Sequence, residues 1–272
     1  MRYVIAILLT ILVVQPVLAQ SAAEKGCFTD MPTDAKAQVD ACTTWIENAK
    51  AKKSAEVVRT QTRALEIRAE AYSRLRQYDA AIQDLLIVTR KGTGGPTTAL
   101  GLLGGIYIIH DKEPQDPNNL ARGIAILSIV IGRKSESAEK IQAEAHSARG
   151  LAFSYMGAHS VAKEEHARAL ELAKSNTIVA VNRAVSCYLE FRGKRAAMVE
   201  CLPIAQLSLA SESITSEALH IRGMMYEELS RTADAKKDYA RAVELDPGHA
   251  RAAAALRRLD TPAAVPPVRR GT

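Results

Sequence analysis

Residues 218–247 read ALHIRGMMYEELSRTADAKKDYARAVELDP, and the spacing inside this stretch decides the fold. Leu219, Gly223 and Tyr226 follow one another at steps of four and three. After a gap of nine, Ala235, Tyr239 and Ala242 repeat those steps, and Pro247 comes five residues later. Steps of three and four place side chains on one face of an α-helix. Two such faces joined by a short turn make an antiparallel helix pair. Gly223 and Ala235 are small enough for the two backbones to approach, and Tyr226 and Tyr239 fill the wedge beside that contact. Ala242 leaves room for the next pair. Pro247 has no N–H to continue the ladder and ends the second helix.

The same frame recurs along the chain, as an internal repeat should. From Thr62 it gives Leu65, Ala69, Tyr72, Ala81, Leu85 and Val88. From Thr97 it gives Leu100, Gly104 and Tyr107, then realigns at Gly123, Leu127 and Val130 after a seven-residue insertion around Asp111–Pro117. From Ala143 it gives Gly150, Phe153, Ala162, His166 and Ala169. From Thr177 it gives Ala184, Cys187 and Ala196 before Pro203 interrupts the second helix, where a kink is expected. Five aromatic residues, Tyr72, Tyr107, Phe153, Tyr226 and Tyr239, fall on the two large-ring positions.

This pattern resembles the tetratricopeptide repeat, a 34-residue pair of antiparallel helices. The resemblance implies an all-α, right-handed α-solenoid of about twelve helices. Five units are expected at 62–95, 97–136, 143–176, 177–210 and 216–249. Residues 20–61 read as an N-terminal helical cap, 250–261 as a closing helix, and the proline-bearing 262–272 as a disordered tail. Helix starts are expected at Thr33-Asp34, Ser137, Asn176-Thr177 and Ser216-Glu217. The run Leu127–Ile131 continues a helical stripe rather than forming a strand. The insertion, with Asp111, Lys112, Asp116 and two prolines, should be an exposed loop.

Composition agrees. Of 272 residues, 47% are apolar and 24% charged, which excludes a mainly disordered or collagenous chain. The aromatic residues are one Trp, eight Tyr and three Phe, so Ala, Leu and Ile must fill the core. The net charge of +6 is modest. The first nineteen residues carry Arg2, the apolar run Val4–Val14 and then Val17-Leu18-Ala19, the pattern of a signal peptide cut before Gln20. The run is too short to span a bilayer comfortably. A periplasmic or secreted protein with no later membrane span is expected.

Export permits disulfides. Four cysteines, Cys27, Cys42, Cys187 and Cys201, allow three connectivities. In a solenoid only neighbouring segments touch, which favours 27–42 with 187–201; four buried thiols are the alternative. Cys27 and the stretch Asp40-Ala41-Cys42-Thr43 with Ile46 also look like secreted Gram-negative proteins of this repeat class. That resemblance implies a cysteine pair pinning a short leader onto the cap helix.

No catalytic constellation stands out. The six histidines form no His-Glu-x-x-His pair, so no metal site is expected; His166, on a large-ring position, reads as a packed core residue and His159 as a turn residue. Residues 91–96, Lys-Gly-Thr-Gly-Gly-Pro, lack the order of a phosphate loop and read as an inter-repeat turn. No Gly-x-Ser-x-Gly occurs. The short basic clusters lack interleaved aromatics, so nucleic acid is not an expected partner. Neither a cofactor nor an enzymatic activity is expected.

What remains is the face that the family uses for peptides, lined by the first helix of each pair. Its centre is Leu151, Tyr155, Val181, Val185 and Tyr188, the candidate partner-binding strip. Its ends carry acids, with Glu66 and Glu70 in the first unit and Glu217 and Glu227 beside His220 and Met224 in the last. The Lys/Asn/Arg set by which some family members clamp a peptide carboxylate is missing. The expectation is a non-enzymatic module binding a protein or peptide, or else a scaffold subunit of an envelope complex. The strip could instead pack against the protein's own elements.

Overall fold

The computed structural model describes residues 22–29, 34–49, 55–90, 92, 94–110, 116–133, 139–209 and 215–261. The signal segment, Thr33, Lys91, Thr93, Ser137, residues 111–115 of the insertion and the tail lie outside the described residues. The described residues are helical throughout, without a strand. Leu127–Ile131 is helix, as its stripe indicated. None of these helices is long and apolar enough to cross a membrane.

The chain divides into two compact units, 1–141 and 142–272. The first holds α1 (residues 22–27), α2 (Ala35–Ala49), α3 (Ala55–Arg74), α4 (Tyr78–Val88), α5 (Thr97–Ile109) and α6 (Pro117–Gly132). The second runs from α7 (Glu139–Tyr155), whose first turn precedes the boundary, through α8 (His159–Leu172) and α9 (Thr177–Phe191). Next come α10 (Arg195–Met198), a 3-10 turn (Val199–Cys201) and α11 (Leu202–Leu207). The last repeat is α12 (Thr215–Glu228) with α13 (Thr232–Leu245), and α14 (Ala250–Asp260) closes it.

Helix ends follow the local sequence. Asp34 Oδ1 accepts the backbone N–H groups of Lys36 and Ala37, and Asn176 Oδ1 those of Ile178 and Val179. The last repeat begins one residue before the expected Ser216. His159, expected in a turn, is the first residue of α8. Asp116 and Pro117, counted with the inserted loop, instead start α6: Asp116 accepts the Asn118 N–H at 2.8 Å and Pro117 takes the first turn, where a missing N–H costs nothing. The turns inside three pairs share one geometry. Arg76, Gly157 and Ser230 have φ of 58°, 77° and 58°. The following N–H in each reaches back five residues, Gln77 to Tyr72, Ala158 to Phe153 and Arg231 to Tyr226.

Pro203 does more than kink its helix. Without an N–H it cannot bond to Val199, and the element breaks into α10, the 3-10 turn and α11. The break falls beside Cys201. The structure pairs Cys187 with Cys201 and Cys27 with Cys42, the local connectivity. Cys27, Cys42 and Cys201 are fully buried, and Phe28 stacks edge-on against Trp45 at 5.2 Å, so the leader is held by a ring contact as well as a covalent one. The described glycines of the Gly-rich stretch, Gly92, Gly94 and Gly95, lie in an inter-repeat turn. Gly95, at φ 85°, has no room for a side chain, since a Cβ would lie 2.4 Å from the Val88 carbonyl.

Packing depends on small residues, as the aromatic count required. In the last repeat a Cβ on Gly223 would stand 2.6 Å from the ring of Tyr239, which is fully buried. Ala235, Ala242 and Ala252 are also fully buried in that core. In the first unit the buried Leu85, Leu100, Leu103 and Leu127 fill the core in place of large rings.

An ionic spine accompanies the apolar one. Arg68 grips Asp84 through two bonds of 2.7 and 2.8 Å. Arg149 grips Glu165 at 3.0 and 2.7 Å, and Arg222 grips Asp238 at 2.7 Å twice. The partners of each pair are sixteen residues apart and join the first helix of a repeat to its second. In the second repeat, Leu103 and Ile126 take these two places and are buried.

Candidate functional site

The expected strip on the second unit lies deeper than a docking surface would. Leu151, Val181 and Tyr188 are 3%, 6% and 8% exposed, while Tyr155 and Val185 are half-buried. Tyr188 packs with Ala184, Met198, Ile221 and Met225, so this part of the first-helix face serves largely as core.

One edge of that face opens into a pocket of about 270 Å³. Tyr188 of α9 forms one wall. His220, Met224, Glu227 and Glu228 of α12 form the floor, Tyr239 of α13 the back, and Ala255 and Arg258 of α14 the far wall. The i, i+4 and i+3 steps from His220 to Met224 and Glu227 bring all three to one side of α12. The closing helix adds the last two residues, which the repeat frame alone could not place. A broader depression of about 790 Å³ beside Glu24, Phe28 and Thr60 is an open surface.

The chemistry of the pocket centres on Glu227. The Tyr239 hydroxyl donates to its Oε1 at 2.6 Å, and Arg258 Nη2 lies 2.7 Å from both oxygens. Burial and then the neighbouring Glu227 push the Tyr239 phenol far above its ordinary range, so it stays a donor. Glu228 Oε2 accepts the Gly193 N–H at 3.3 Å.

Beneath the pocket, Glu217, His220 and His249 bring potential ligand atoms within 4.8 Å of one another. The two histidines are far apart in sequence and meet because the turn after α13 folds back on α12. The protonation pattern makes this a poor metal donor set. His249 Nδ1 accepts the Ala252 N–H, capping α14, so its proton sits on Nε2 and is donated to Glu217 Oε2 at 2.9 Å. Burial favours a neutral Glu217. The His249 hydrogen bond and the charge of Arg251 outweigh that effect and hold its pKa down at about 2. The trio latches α14 to the repeat.

Elsewhere in the second unit a histidine sits beside a hydroxyl. His166 Nε2 lies 2.7 Å from Ser186 Oγ, the pairing a nucleophile would need. Both residues are buried, and His166 Nδ1 has no hydrogen-bond partner among the described residues, so no third group orients the ring. Burial and then the Arg183 charge lower its pKa to about 4. His166 is a neutral core histidine, as its large-ring position indicated.

The sequence reading missed the ionic spine and Arg258. The spine had a signal: an arginine directly before the small residue of the first helix, and an acid directly before the large residue of the second.

A tetratricopeptide-repeat family model matches residues 216–249. No curated protein matches. Among solved structures, a tetratricopeptide-repeat protein from Parabacteroides merdae is similar over 90% of this chain and 92% of its own, at 13% identity and a TM-score of 0.59. Another, from Thermus thermophilus, is similar over 72% of this chain and 99% of its own, at 16% identity and a TM-score of 0.55. At these identities the likeness is one of fold, an all-α solenoid of antiparallel helix pairs.

Proposed function

We propose that this tetratricopeptide-repeat protein is an exported, non-enzymatic module that holds a protein or peptide partner against the first-helix face of its second unit. The observation that carries the reading is the pocket between α9, α12, α13 and α14. Two tyrosines, a methionine, a histidine and fixed charges converge there on a face otherwise packed as core. Tyrosine rings offer large contact area at low entropic cost, and such residues anchor interfaces. The two disulfides are compatible with an oxidising compartment.

The test places a photo-crosslinking residue at Met224, and separately at the exposed Lys237 of α13, in the protein expressed in its own cell. A partner joined from Met224 and absent from Lys237 supports the reading. Equal crosslinking from both favours a scaffold subunit of an envelope complex, a role that the burial of Leu151, Val181 and Tyr188 also suits. Export is tested by intact mass: the mature protein should begin at Gln20, and a start at any earlier residue counts against it.

A further inference from the structure

We propose that the pocket is a guanidinium site, in which the chain's own Arg258 holds Glu227 until an arginine of a partner takes that place. The inference rests on reading the first-helix face of the second unit as the binding surface, and names the chemistry it accepts.

A surface carboxylate is usually mobile, but Glu227 is held from behind by the hydroxyl of a fully buried tyrosine at 2.6 Å. A fixed acceptor spares a ligand the cost of ordering it. The donor now on it is of the opposite kind. Arg258 is a long side chain on the closing helix, and its side chain is 61% exposed. An ion pair with one partner so exposed contributes little to stability, so a competing guanidinium need displace only a weak contact.

The rest of the lining suits the same ligand. Tyr188 and Met224 offer apolar and ring surface to a planar cation and its stem. Glu228, next in sequence to Glu227, leaves two carboxylates in the pocket once Arg258 swings away. With Arg258 in place as a wall, about 270 Å³ stands open beside it, less than a usual small-molecule cavity. Arg258 reaches both oxygens of Glu227 through the single nitrogen Nη2, which leaves the fork-on-fork geometry to an incoming guanidinium; a lysine ammonium, a point charge, lacks it. Displacing Arg258 need not release α14, because the helix is independently latched through His249 and Arg251 to Glu217.

The probe is the peptide acetyl-Gly-Arg-Gly-amide, with lysine and citrulline versions, titrated into the full mature protein and followed by NMR. Arg258→Ala should bind the arginine peptide at least tenfold more tightly than the unmodified protein. Adding Glu227→Gln should abolish the gain, and the lysine and citrulline peptides should bind at least tenfold more weakly. Arg258→Gln, which keeps most of the stem, repeats the measurement should the alanine variant loosen α14. In the unmodified protein, saturating arginine peptide should shift the Arg258 side-chain signals to those of a free guanidinium. Equal affinity with and without Arg258, binding that survives Glu227→Gln, or equal binding of lysine and arginine peptides overturns the proposal. If Met224 crosslinks a partner while these titrations fail, the guanidinium assignment falls and the binding face stands. If both fail, so does the face.

Discussion

Ser230 takes a left-handed backbone between α12 and α13 at φ 58°, where glycine stands in the corresponding turn at Gly157. A side chain there costs roughly 1 kcal/mol. Ser230→Gly should therefore raise stability by about 0.5–1 kcal/mol in urea unfolding, with part of the gain offset by a looser unfolded chain. The opposite sign would show that Ser230 makes a contact that outweighs the backbone strain. His166 carries a pH dependence of definite sign. Its folded pKa of about 4 lies below the ordinary 6.5, because burial and Arg183 oppose the charged ring. As pH falls, the unfolded chain takes a proton that the folded one refuses. The contribution is complete above pH 6.5 and is lost as pH drops toward 4, amounting to about 2–3 kcal/mol between pH 7.5 and 4.5. His166→Gln should flatten that part of the stability profile. An unchanged slope would mean that His166 titrates freely.

The ionic spine and its apolar counterpart allow a comparison inside one molecule. Asp238 is 5% exposed, so Arg222→Ala strands a buried carboxylate and should cost about 3–5 kcal/mol. The second repeat shows another solution at the same two places, Leu103 and Ile126. Arg222→Leu combined with Asp238→Ile should recover at least half of that loss, read as a positive coupling in a double-mutant cycle. Additive losses would mean that the last repeat cannot close without its charges. The helix pairs themselves were legible, because Leu219, Gly223, Tyr239 and Ala242 announce a face by spacing alone. The spine was legible in principle, since Arg222 precedes Gly223 and Asp238 precedes Tyr239, but its period becomes visible only once helix faces are assigned. The strip Leu151–Tyr188 was correctly placed on the first helices. Its depth was not, because spacing names the face of a helix and leaves open how closely the neighbouring pair covers it. The pocket needed Arg258, a residue of the closing helix outside the repeat frame, and no spacing within the repeat points to it.

At the scale of the whole molecule, the two bridges bind short neighbouring segments, and each lies within one unit. Replacing Cys187 and Cys201 by serine should lower stability by about 3 kcal/mol, as loops of this length do, with hydrogen exchange rising first across residues 195–207. Exchange that rises evenly through the second unit would show that the bridge acts globally. The same bridge also has a mechanical meaning. Cys187 and Cys201 are separated by 14 positions along the chain, yet their Cα atoms are 5.7 Å apart. Pulled from its ends, the oxidised protein cannot pay out the residues between them, which removes roughly 45 Å of extension from the rupture of the second unit. A reductant should restore that length in a single step, so that tension along the chain would report the redox state of its surroundings.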